Sequence, residues 1–188
     1  GQGLGFVLIE KTNEIFDLYI TALKGQGQNI NPSLSLQLES VKKSFADTAP
    51  SLIAIFWMSL IVLNGLIAQS ILKRSKRNRR PRFAIKEVQI SRTFAIIFLL
   101  NLAIASFSSG ELGYLITNLT AILAFPVMLS GLGVVHLFAD KTNYSGSILF
   151  VLYLIITFSR WAAILVVFVG IADHFLKLRN RIQSNNIQ

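Results

Sequence analysis

Apolar residues in this chain gather into four long runs: Pro50–Leu72, Thr93–Ser109, Leu112–Phe138 and Ser147–Ala172. Crossing about 30 Å of hydrocarbon takes roughly 20 helical residues, with a range of about 17–25. The first two runs fit as single membrane spans. The last two are somewhat long, an excess that tilt or a kink absorbs. The pattern before Pro50 is different. Within Lys11–Lys24, Ile15, Phe16, Tyr19, Ile20 and Leu23 fall on one helical face, which predicts a short amphipathic helix. Gly25–Pro32, rich in Gly, Asn and Gln, reads as a loop. Leu34, Leu38, Val41 and Phe45 then recur at helical spacing, with Glu39, Lys42 and Lys43 on the other side. They predict a second amphipathic helix running towards Pro50. Two such helices either lie on the membrane surface or cap a cavity. The opening run Gly3–Ile9 is too short to cross and stops at Glu10, so it is expected to be the stub of an earlier helix. No basic segment precedes it, as a signal peptide would require.

The expected fold class is therefore all-α: a polytopic transmembrane helix bundle of about four membrane segments plus two short amphipathic extracytoplasmic helices. Residues 1–49 form the stub and the extracytoplasmic region. Residues 50–176 form the bundle, interrupted by a loop at 73–90, and 177–188 form a basic polar tail.

Composition agrees. Apolar residues make up 53% of the chain and charged residues 14%, and the mean hydropathy is +0.58. A soluble domain of this size needs more charge to cover its surface, so lipid is the fitting solvent. The absence of cysteine excludes disulfides, thiolate catalysis and cysteine-based metal sites.

Charge orients the bundle. Residues 10–50 hold five acids and four bases, whereas Lys73 onward holds fourteen bases and four acids. Seven of those bases, Lys73, Arg74, Lys76, Arg77, Arg79, Arg80 and Arg82, fall in one short loop. Loops rich in Lys and Arg stay cytoplasmic, which places 73–90 inside and 10–50 outside. Clusters of this kind also bind phosphate backbones. Here no aromatic residue is interleaved and the run abuts a span, so a topology signal touching anionic lipid headgroups is favoured over nucleic acid. One conflict follows. A single fourth span would leave Lys177, Arg179 and Arg181 outside, against the same rule. Either the last segment breaks near Ser159–Arg160 and returns as a re-entrant hairpin, or the rule fails at this end.

Polar residues within spans need partners. Asn64, Asn101 and Arg160 lie near the middles of three segments, and Asn118 lies in another. They are the candidate ligand contacts; the competing reading is hydrogen-bonded glue between helices. Gly110, Gly113, Thr117, Ala121 and Ala124 make a stripe of small residues, of which Gly113, Thr117 and Ala121 are the expected helix-packing face. Pro126 predicts a kink. Gly131, Gly133 and His136 follow, with His136 at the cytoplasmic interface. No catalytic constellation, phosphate loop or metal-ligand set is present, and Asp173 and His174, adjacent on a helix, point in different directions. Neither an enzyme nor a cofactor is predicted.

These ordered features resemble the bacterial membrane family called domain of unknown function 2232. Trp57 and Asn64 sit in a span that runs into a basic loop. The stretch from Asn118 to Gly131-Leu-Gly-Val-Val-His136 is similar to that family's long helix and its closing string. Gly170-Ile-Ala-Asp173-His-Phe-Leu-Lys-Leu-Arg179 is similar to its final Gly-x-x-Asp, aromatic and basic tail. The likeness covers roughly residues 1–182. It departs where family members carry a proline and this chain has Ser159-Arg160. The resemblance implies a multi-pass protein of the bacterial cytoplasmic membrane. It also implies fold-level similarity to the substrate-binding membrane subunits of energy-coupling-factor vitamin transporters. A small-molecule uptake component is the leading expectation. A structural or assembly protein that holds membrane-protein partners through its helices and basic loop is the alternative.

Overall fold

The computed structural model describes residues 4–25, 32–74 and 85–179. They form six helices: α1 (Leu4–Gly25), α2 (Pro32–Arg74), α3 (Arg92–Phe107), α4 (Gly110–Ala139), α5 (Ser145–Phe158) and α6 (Arg160–Leu176). A single 3-10 turn, Ile85–Glu87, lies between α2 and α3. No strand occurs among the described residues.

The helices run further than the amphipathic pattern implied. The expected stub and the first amphipathic helix are one continuous helix, α1. The second amphipathic helix and the first span are likewise one helix, α2, 43 residues long with Pro50 inside it. Periodicity changes where the environment changes, from an interface to lipid, and the backbone hydrogen bonds carry on regardless. Pro50 does not end the helix, because side chains from α4 satisfy the groups it leaves unpaired.

By length and composition, α2 and α4 are each able to cross a membrane. α3 is apolar but only 16 residues long. The fourth expected span is not one straight helix. α5 and α6 are separated at Ser159 and bent by 119°. The four apolar runs thus take the form of two long helices, one short apolar helix and one bent pair, whose break falls at Ser159, where the sequence left a break open.

α4 is the central post, in contact with every other helix and with the 3-10 turn. Phe125, Val127, Leu132 and Val134 are buried on it, as are Ala95 and Phe98 on α3 and Val166 on α6, two helices that pack on α4. Its closest approach to α6 is backbone on backbone. A Cβ built on Gly131 would overlap the Val166 carbonyl oxygen, and one built on Gly170 would overlap the Val127 carbonyl oxygen. Only glycine lets these helices meet so closely. Around this post the outward surface is apolar: Phe107, Ile61, Phe150, Phe158 and Trp161 are all exposed. Water penalises such a surface, whereas lipid accepts it.

Candidate functional site

The polar residues expected in the spans do not meet as one cluster. Asn64 is exposed on α2. Asn101 Oδ1 accepts a 2.6 Å hydrogen bond from the Thr120 hydroxyl, joining α3 to α4. Arg160 is exposed as the first residue of α6, beside the break at Ser159.

Asn118, on α4, is buried and fully engaged. Pro50 has no N–H to donate to the Ala46 carbonyl, and its ring crowds the turn before it. That carbonyl accepts from the Tyr114 hydroxyl at 3.3 Å. Asn118 Nδ2 donates to the Asp47 carbonyl at 2.9 Å, and its Oδ1 accepts the Ser51 N–H at 3.1 Å. Two α4 side chains thus stitch the Pro50 turn of α2, and Asn118 has little left to offer a ligand.

The small-residue stripe is divided. Gly113 is buried because a Cβ there would lie 2.8 Å from the Ser108 carbonyl oxygen of the α3–α4 turn. Ala121 is half-buried, and Thr117 is exposed. The backbone-on-backbone contact with α6 falls about five turns beyond Gly113, at Gly131. Lys73 and Arg74 are exposed in the last turn of α2. Lys76, Arg77, Arg79, Arg80 and Arg82 lie outside the described residues. His136 bridges helices: its Nδ1 is 2.9 Å from the Leu132 carbonyl and its Nε2 is 3.5 Å from the Tyr153 hydroxyl of α5.

Polar side chains converge at the C-terminal end of α6. The helix stops because Lys177 adopts a left-handed conformation, φ 49° and ψ 46°, with its N–H on the Asp173 carbonyl. That turn carries the chain back over the helix end. The Arg179 N–H then reaches Asp173 Oδ1 at 3.1 Å, and Arg179 Nε reaches Asp173 Oδ2 at 2.8 Å. The rest of the guanidinium faces three carbonyls. Nη1 donates to Lys86 at 2.6 Å, and Nη2 donates to Val88 at 2.5 Å and to Ser130 at 2.9 Å. Both side chains are almost wholly buried, with 4% and 7% exposure. A buried ion pair is tolerable only with such complete hydrogen bonding. Gly133 makes the space, since a Cβ there would lie 2.7 Å from Arg179 Nη2 and 2.6 Å from the Ile85 carbonyl oxygen.

Beside this latch lies a cavity of about 230 Å³, lined by Gln89, Ile90, Ser130, Asp173, His174, Lys177 and Arg179. Drug-sized ligands occupy about 300–1,000 Å³, so this space suits a smaller polar molecule. The Asp173 carboxylate and the Arg179 guanidinium neutralise each other, which leaves Gln89, His174 and Lys177 as the other polar side chains of the lining besides Ser130, the His174 ring lying edge-on to Phe175 at 5.3 Å. Sequence reasoning missed this site. Helix geometry points Asp173 and His174 apart, and the charge pattern places Arg179 in a basic tail, so neither pattern pairs Asp173 with Arg179. An acid closing an apolar helix, with an arginine six residues on, was the available signal.

The family model described as predicted membrane protein (DUF2232) matches residues 1–174 of the chain. No curated protein matches it. No solved structure matches it either.

Proposed function

We propose, from the premise that this chain belongs to the DUF2232 family of membrane proteins, that it binds a small polar solute in the cavity at the end of α6. It does so as the recognition component of an uptake system and carries out no chemistry. The observation that carries this reading is the cavity itself, built where three separate parts of the chain meet. Its polar wall is held by the Asp173–Arg179 latch, and Lys177 and His174 line it beside that pair. A site preorganised by its neighbours loses little entropy on binding. The reading includes residence in the bacterial cytoplasmic membrane, with Lys73 and Arg74 against anionic headgroups. It also includes the likeness to vitamin-transporter membrane subunits implied by the family resemblance, although the cavity volume favours solutes smaller than most vitamins.

Thermal unfolding of the purified protein in detergent, screened against inorganic phosphate, small carboxylates, amino acids and small vitamins, tests it. A ligand at 100 times its Kd adds about 2.7 kcal/mol of stability. That stabilisation should vanish in Lys177→Ala and His174→Ala. Absence of any stabilising solute, or stabilisation unchanged in both variants, rejects the site.

The exposure of α2 favours a second reading. Leu52, Ile53, Phe56, Trp57, Ile61, Leu63 and Ile67 are all exposed along it, and Asn64 stands on the same stretch. A helix of this kind suits a structural or assembly protein that packs against partner membrane helices. Cross-linking from Asn64→Cys to another membrane protein, with no solute response, would favour that reading over the first.

A further inference from the structure

We infer that α5 and α6 form a re-entrant hairpin that enters and leaves the membrane on the face of the basic loop, and that they do not make a fourth span. The inference rests on Lys86, not on the solute site. Asp140 directly follows α4, and its carboxylate lies 3.4 Å from the Lys86 ammonium. Arg179 lies just beyond α6, and its guanidinium donates to the Lys86 carbonyl at 2.6 Å. Both ends of segment 141–178 therefore sit within reach of one residue.

A crossing helix cannot do this. Laid end to end, α5 and α6 would separate their termini by about 45 Å at 1.5 Å per residue. The 119° bend at Ser159 instead turns α6 back towards its start. The first arm also stops short: the 14 residues of α5 extend about 21 Å, against about 30 Å of hydrocarbon. The tip, Phe158 to Trp161, is accordingly held within the bilayer, and Phe158 and Trp161 are among the most exposed apolar side chains of the chain. The turn there is made by backbone: the Ser159 N–H donates to Ile155 and its carbonyl accepts from Ala162. The same geometry removes the charge conflict. Lys177 and Arg179 come to the side of Lys86, so these bases share one face as the charge rule requires.

Single-cysteine accessibility in membranes tests this, because the chain has no cysteine of its own. Asn143→Cys and Lys177→Cys flank the hairpin, Asn78→Cys marks the basic loop and Gln37→Cys marks the opposite face. Labelling with a membrane-impermeant maleimide should place positions 143, 177 and 78 together on one face and position 37 on the other. Ser159→Cys, with Arg160→Cys as a second variant, should resist labelling from the face of position 37. Positions 143 and 177 on opposite faces would show a crossing span. Ready labelling of 159 or 160 from the face of position 37 would show two full spans. Either result overturns the hairpin.

Discussion

Neutralising one member of the Asp173–Arg179 latch should destabilise the protein more than neutralising both would suggest. In Asp173→Asn the guanidinium keeps its three carbonyl acceptors but loses its facing carboxylate. In Arg179→Gln the carboxylate loses both the Nε donor and its counter-charge. Both groups are almost wholly buried, so solvent cannot replace the lost partner. Removing one partner of a buried pair costs about 3–5 kcal/mol, a shift of roughly a hundredfold to several thousandfold in the unfolding equilibrium. The double variant buries no net charge. It should recover part of the loss, with a coupling energy of about 2–3 kcal/mol, at the upper end of what neighbouring residues show. Reversible unfolding by sodium dodecyl sulfate in mixed micelles, run on wild type, both singles and the double, completes the cycle. Strictly additive losses, or singles below about 1 kcal/mol, would mean that the pair does not hold the C-terminal turn to the 3-10 turn and α4, and the account of the site would fail with it.

The same assay checks three further outcomes. Asn118→Leu should lose about 2 kcal/mol or more, because the Asp47 carbonyl and Ser51 N–H lose their side-chain partner; Asn64→Leu, on an exposed face, should change stability by less than about 0.5 kcal/mol, and equal losses would refute the stitching of Pro50. Gly131→Ala should lose about 1–3 kcal/mol or more through overpacking against the Val166 carbonyl, whereas Gly65→Ala, inside α2 with nothing within 4 Å of its built Cβ, should lose nothing and gain up to about 1 kcal/mol. Lys177→Gly should raise stability by up to about 1 kcal/mol by relieving the left-handed backbone; in the solute screen it should weaken binding, and stability falling with binding unchanged would contradict both roles.

Class and placement were legible from residue order alone. Runs of twenty apolar residues have one good solvent, and a helix is the cheapest way to satisfy their backbone there, so an all-α membrane bundle followed from Pro50–Leu72 and Leu112–Phe138 without tertiary information. The weak point in the last segment was legible too, since a polar pair, Ser159-Arg160, interrupts it. Hydropathy could not say what happens at such a pair, because a kinked span and a hairpin have the same composition. Only contacts between residues far apart in sequence, Asp140 and Arg179 with Lys86, carry an argument for one over the other. The asparagines show the same divide. Each was visible as a polar residue needing a partner, but Asn118 found backbone groups freed by a proline 68 positions earlier and Asn101 found Thr120, pairings set by how helices cross. Arg179 looked like one base in a charged tail until a left-handed residue turned it back onto Asp173. Local pattern reports what each residue needs, whereas the partner that meets the need is chosen by long-range packing.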